Sequence, residues 1–381
     1  MIKAAKKLSV FLVLLVLLLP REQVLGASSN QKEGLLRTAE NATLEKLKED
    51  HPEPAYGAEC EWTVFSLARS GFLSPDDPYF SAYYEALKSS AKGKFSSTRS
   101  TENSRVILAL SAIGKSAENV NGVNLVKPYA DAEWVGKQGV NGEAFALLAM
   151  DAGGYDTSDG NFRDACIQRI LDQEKPGGGF ALMGDVADSD ITSMVLTALA
   201  PYREREDVAA AGERAIAALS EMELPDGNFI TLSFATSFPT ASSAAQVLVA
   251  LSAWGIDADT DPRFKKSEGS VVDALLSFYV DAEDGPGFMN AKPGTNDQST
   301  TAGKRDPIAS YQGAYALTAY RRFKEGRPAL YDFSDVTIEK AEPAKEGHTA
   351  LFIGIIAGAV IVCVLVVLLL RRKSGKGTAA L

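Results

Sequence analysis

The sequence predicts an all-α fold of six outer–inner helix pairs, and three observations carry that expectation. One kind of apolar helix occurs six times, at 61–71, 104–114, 142–153, 189–201, 243–255 and 311–322. Aligned on Leu67, Leu110, Leu148, Leu199, Leu251 and Leu317, the copies lie 43, 38, 51, 52 and 66 residues apart, the period of a helical-repeat architecture. An amphipathic stretch precedes each copy. A glycine followed by an aromatic recurs between them, and little of the chain reads as strand.

Each copy opens on small or polar residues and continues as Val, Leu and Ala, as in Ser189-Asp190-Ile191-Thr192-Ser193-Met194-Val195-Leu196. A helix apolar on nearly all sides must be buried on nearly all sides, so the six form an inner layer. Ala109, Ala198 and Ala250 let neighbours approach closely. In the covering layer, residues 31–49 place Leu35, Leu36, Ala39, Leu44 and Leu47 near one face, a helical pattern that Pro52 and Pro54 end. Residues 78–90 carry a stripe of Phe80, Tyr83, Tyr84 and Leu87. The stretches 125–137, 162–173, 207–222 and 269–280 repeat the pattern before copies three to six. The corners are Gly93-Lys94-Phe95, Gly178-Gly179-Phe180, Gly227-Asn228-Phe229 and Gly285-Pro286-Gly287-Phe288. Glycine ends the outer helix with φ > 0, and the aromatic plugs the groove between pairs. Gly177-Gly178-Gly179 follows a helix rather than a strand and lacks a Gly-Lys-Ser/Thr, so it is no phosphate loop.

With 381 residues the chain can bury a substantial core. Its net charge is −10, yet residues 1–7 and 371–381 hold seven Lys/Arg and no acid, which leaves −17 on residues 8–370. That acidic body argues against nucleic acid as a partner. Lys3, Lys6 and Lys7 ahead of an apolar run, with small residues near Ala27, predict a signal peptide over 1–26. The 21 apolar residues 350–370, followed by Arg371-Arg372-Lys373, predict a single membrane span. The expected order is therefore a 27–335 ectodomain outside the cell, a stalk over 336–349, the span, and a basic cytoplasmic tail over 371–381. Gly354 and Gly358 form a small-xxx-small pair that permits a weak homodimer, although glycine is common in such spans. Cys60 and Cys166 permit one ectodomain disulfide at most.

The six pairs and their corners, such as Gln173, Gly178, Gly179 and Phe180, resemble the α/α toroid of terpenoid cyclases and protein prenyltransferase β-subunits. The resemblance covers roughly residues 33–333. Glu61-Trp62-Thr63-Val64, Ser104-Arg105-Val106-Ile107, Asp188-Ser189-Asp190-Ile191-Thr192 and Ala245-Gln246-Val247-Leu248 look like Gram-positive surface proteins with prenyltransferase/squalene-oxidase repeats. More distantly, the fold is similar to cobalamin carriers of the transcobalamin and intrinsic-factor type. These resemblances imply an α/α toroid but no reaction.

The residues narrow the chemistry. Prenyltransferases of this fold hold zinc with Asp, Cys and His, whereas here the histidines are His51 and His348, neither placed near Cys60 or Cys166. No metal and no cofactor are expected. Cyclases of the resembled type protonate substrate with the middle acid of Asp-x-Asp-Asp. Asp188-Ser189-Asp190-Ile191 supplies the first two acids and lacks the third, so Asp190 is a candidate general acid with Asp188 beside it. The competing expectation is that both acids serve as helix-start residues whose oxygens accept open N–H groups. Glu59, Glu102, Arg105, Glu143, Gln246, Tyr311 and Gln312 also lie near inner-helix starts, which a toroid gathers at one mouth. They are the candidate ligand contacts, though Glu102 and Arg105 at i, i+3 equally suit a structural ion pair. The resulting expectation is a surface-anchored toroid that binds a small ligand or an extracellular protein without catalysis. The alternatives are a cyclase-like lyase or isomerase using Asp190, and a structural or adhesive module.

Overall fold

In the computed structural model, which describes residues 29–157, 160–232, 238–295 and 302–339, several of the helices start on a side chain that caps them. In order the chain forms α1 (Ser29–Asp50), α2 (Ala58–Ser70), α3 (Pro78–Ser90), α4 (Thr101–Ala112), α5 (Ala132–Gly136) and α6 (Gly139–Ala152). It continues with α7 (Phe162–Leu171), α8 (Ser189–Leu199), α9 (Glu206–Met222), α10 (Ala241–Ala253) and α11 (Val271–Leu276). A hairpin of β1 (Tyr279–Ala282) and β2 (Gly285–Phe288) then leads to α12 (Pro307–Lys324). Asp77, Asp188, Thr240 and Asp306 accept N–H groups in the first turns of α3, α8, α10 and α12, donors those turns leave open. The expected signal peptide, the span with Gly354 and Gly358, and the basic tail lie outside the described residues. Among the described residues no helix is long and apolar enough to cross a membrane.

The six even-numbered helices are the repeats, and they close a ring. Each packs on the next from α2 to α12, and α12 returns to α2. This is the inner layer expected of a toroid. The outer helices α7, α9 and α11 lean on α6, α8 and α10, the inner helix before each rather than after it. The same rule sends α1 back to α12 as well as α2. There Glu40 takes Arg321 at 2.9 Å and the Thr318 hydroxyl at 2.7 Å. Lys32 meanwhile reaches Asp259 at 2.7 Å and Asp273 at 2.6 Å.

Two outer elements differ from expectation. The third, anticipated as one helix over 125–137, breaks into a 3-10 turn, Lys127–Ala130, and the short α5. Pro128 favours the first and Asp131 restarts the second by accepting the Trp134 N–H at 3.0 Å. The sixth, expected over 269–280, spans only Val271–Leu276, and an unanticipated hairpin begins at Tyr279. At the corners, polar residues of the next inner helix grip the aromatic's backbone. Asn103, Thr192 and Ser310 accept the N–H groups of Phe95, Phe180 and Phe288 at 2.9, 2.9 and 3.0 Å. Gly227 has φ +81° and sits so near the Ser270 carbonyl that a Cβ would fall 2.2 Å from its oxygen, so only glycine fits that corner.

Beyond α12, residues 328–339 form a strap across one end of the ring. Arg69 of α2 donates to the carbonyls of Leu330 (2.8 Å), Ala329 (3.2 Å) and Asp332 (2.7 Å). Arg322 of α12 donates to the carbonyls of Pro328 and Arg69. Both guanidiniums also bind Asp335, at 2.8 and 2.6 Å. Tyr331 stacks on Phe65 at 5.1 Å, and the Glu339 N–H meets the Gly114 carbonyl at 2.8 Å. Residues 336–339, expected in the stalk, therefore belong to the toroid. Cys60 and Cys166 are both buried and free, so they do not form the disulfide that the sequence permitted.

Candidate functional site

The start of α8 separates the two acids that the sequence left together. Asp188 has extended backbone (φ −118°, ψ 140°) and is the cap. One of its oxygens accepts the N–H groups of Asp190 (3.1 Å) and Ile191 (3.0 Å). The other accepts the Thr231 hydroxyl at 2.6 Å and the Leu232 N–H. The capping role expected of both acids thus falls to Asp188, and Asp190 does not take it. It lies in the first turn, 3% exposed, with hydrogen bonds from the hydroxyls of Ser189 (3.2 Å) and of Ser243 on α10. Burial, and then the neighbouring charge of Asp188, lift its carboxyl to about 7, against the pull of those two hydroxyls. Near neutrality Asp190 is a substantially protonated acid inside the protein.

An aromatic wall shares this interior. Trp62 of α2 meets Phe145 of α6 edge-on, with centroids 6.2 Å apart. Because α4 stands between those helices in the ring, the contact reaches across the lumen. Trp62 also stacks with Tyr311 at 6.1 Å and leans on Tyr315 at 5.9 Å. The Tyr315 hydroxyl accepts the Gln246 amide at 2.6 Å, and burial holds the phenol well above its usual range, with the Asp190 charge adding to the effect. Trp62, Phe145 and Met194 stay half-buried although each is a turn inside its helix. Tyr56, Met183, Val186, Leu232 and Ile308 are exposed. All five lie in or beside the segments that lead into α2, α8, α10 and α12, and they give this mouth an apolar rim.

The other expected contacts divide. Gln246 and Tyr311 belong to the lumen. Glu59 is exposed at the start of α2, close enough for its charge to act on Tyr311. Arg105 is held by Glu61 at 3.0 Å and Glu102 at 2.6 Å, and Glu102 also meets Arg99 at 3.0 Å, so the ion-pair reading describes it. Burial raises the Glu61 carboxyl to about 6, opposed by the Gly57 N–H and Arg105. Glu143 turns away from the mouth, since α6 begins at Gly139 and places it in the second turn. There it faces the outer layer, taking Arg169 through two bonds (2.7 and 2.9 Å) and the Cys166 thiol at 3.1 Å. The Gln312 side-chain oxygen is buried with no hydrogen-bond partner among the described residues. Tyr315, Phe145 and Met194 went unnoticed in the sequence; their only signal is bulk within runs otherwise rich in Ala, Val and Leu.

No protein-family model matches the chain. No curated protein matches it either. Among solved structures it is similar to a glycosyl hydrolase of family 88 from Bacteroides vulgatus, at 11% identity and a TM-score of 0.49, over 77% of this chain and 99% of that one. It is also similar to a polysaccharide lyase, at 12% identity and a TM-score of 0.48, over 77% of this chain and 98% of that one. Both neighbours are named as enzymes. These names give no support to the expectation of non-catalytic ligand or partner binding, which is set aside, and at such identities and TM-scores they carry no activity over to this chain.

Proposed function

We propose that this chain is a lyase or isomerase in which Asp190 is the general acid. The observation that carries the reading is Asp190 itself, a buried carboxyl raised to about 7 while Asp188 does the capping. Its surroundings, the rings of Trp62, Tyr311 and Tyr315 and an apolar rim, suit a substrate carbon–carbon double bond better than a charged group. Proton transfer would break the Asp190 O–H bond as the π electrons form a new C–H bond. The cation left on the neighbouring carbon would be stabilised by the aromatic faces. An adjacent carbon would then return a proton to the Asp190 carboxylate, giving an isomer. If a second double bond in the substrate attacks the cation first, a ring closes before that proton is lost. Either course regenerates the acid.

The test is product analysis after incubating the full chain with linear isoprenoid alkenes. Wild type should yield isomerised or cyclised product, and Asp190→Asn, which has no acidic proton, should lose about 10²–10⁴-fold in rate. No product from wild type, or equal product from both, would falsify the reading.

The resemblance to Gram-positive surface proteins with prenyltransferase/squalene-oxidase repeats, together with residues 1–26 and 350–370, supports a place on the cell surface with one span and a cytoplasmic C-terminus. Protease added to intact cells should then remove the globular part and leave a small membrane-bound C-terminal fragment. A full-length protected chain would show the topology to be wrong.

A further inference from the structure

The ring has a second opening, at the end opposite Asp190. The strap is fastened to α2 and α12 through Arg69, Arg322 and Asp335, and to the turn after α4 through Gly114. It therefore crosses one side of the ring and leaves the C-terminal ends of α6, α8 and α10 uncovered. Between those ends and the strap lies a pocket of about 820 Å³, inside the range of small-molecule sites, about 300–1,000 Å³. Thr197, Val249, Leu330 and Phe333 line it and are buried, whereas Tyr331 is half-buried. Thr197 lies seven residues beyond Asp190 and Val249 three beyond Gln246, so the helix faces that line the lumen also line this pocket. Tyr331 stands between the two, stacked on Phe65.

Asp151 and Arg163 are paired at the pocket's edge, and its other charged lining residues, Arg203, Glu204 and Asp332, are exposed. Asp151 accepts the Tyr202 hydroxyl at 2.8 Å and Arg163 at 2.7 Å. An ion driven to the floor would lose its water with no counter-charge to replace it. A neutral molecule would not, and its apolar body would gain by covering Val249, Leu330 and Tyr331. At the rim, Arg163 Nη1 is 3.8 Å from Asp156, beyond hydrogen-bond length, and so keeps donor capacity for a hydroxyl or amide oxygen.

We propose that this pocket is a second ligand site, separate from the Asp190 lumen, for a neutral small molecule with an apolar body and one hydrogen-bonding end held beside Asp151, Arg163 and Tyr202. The test uses 4-(hydroxymethyl)benzophenone, a neutral photoreactive probe of that shape, with the full chain and peptide mapping of the label. Labelling should saturate with concentration and map to peptides containing Thr197–Tyr202 and Ala329–Ile338. It should fall about tenfold in Val249→Trp and in Ala253→Trp, which fill the pocket, and stay unchanged in Asp190→Asn. Label on the mouth segments instead, or undiminished labelling in tryptophan variants whose melts match wild type, overturns the proposal. Should neither tryptophan variant fold, the wild-type map decides, and label scattered without saturation also overturns it.

Discussion

Asp190→Asn is expected to stabilise the protein above pH 7 and to leave its stability unchanged near pH 4. An aspartate in the unfolded chain titrates near 3.9, and burial raises Asp190 to about 7 in the fold. Between those values the native state holds a proton that the unfolded state has released. Stability from this group is therefore fully present below about pH 4 and falls as pH rises towards 7. Three pH units at about 1.4 kcal/mol each place the ceiling near 4 kcal/mol. Asparagine keeps the shape and removes the titration. Melts of both proteins at pH 4, 6 and 8 should diverge only at the higher values, with the variant above wild type. A helix-capping Asp190 predicts no such divergence, so parallel melts at all three values would return it to the capping role.

The second large effect is expected at Asp335. Arg69 and Arg322 are buried to 2% and 1% exposure, and this one carboxylate binds both. Burial would raise the Asp335 carboxyl, but the bonds from Arg322 and Arg69 outweigh it and hold the group below its usual range. Asp335→Ala leaves two buried guanidiniums side by side with backbone carbonyls and, for Arg69, the Phe333 ring, but no carboxylate bonded to either. Removing one partner of a buried pair costs about 3–5 kcal/mol. Because the Asp335 side chain is 25% exposed, water will replace part of it, and about 3 kcal/mol is the expected loss. The sign in pH is opposite to that of Asp190. The contribution is present above the unfolded value and is lost as pH falls through the depressed native one. Denaturant unfolding of Asp335→Ala at pH 7 measures it directly, and a change below about 0.5 kcal/mol would show the arginines to be held by the carbonyls instead.

The ring was legible because burial on all sides writes itself into a whole helix. Six runs of Val, Leu and Ala leave no other place for α4 or α10 than an inner layer. The site was less legible because it depends on where each helix begins. Asp188 and Asp190 are both ordinary first-turn residues, and only the extended backbone of Asp188 decides which one caps and which one is buried. Glu143 shows the same dependence in reverse, since three more residues at the start of α6 carry it round to Arg169. The strap left no trace at all. It has no periodicity, and Arg69 and Asp335 are 266 positions apart, a distance over which a single sequence gives no sign of pairing.

Closure of the ring also bears on how the chain acquires its structure. The contacts that seal it, Glu40 with Arg321 and Lys32 with Asp259, span 281 and 227 positions. During synthesis, at roughly 5–20 residues per second, α1 and α2 emerge well before α12 exists to cover them. For that interval the flank of α2 that α12 will occupy faces solvent, with no later step able to shorten the delay. Contacts so distant in sequence are also the slow ones to form, because the entropy of closing the intervening loop comes first. The native state thus has no open seam, while the nascent chain carries one until its last repeat arrives.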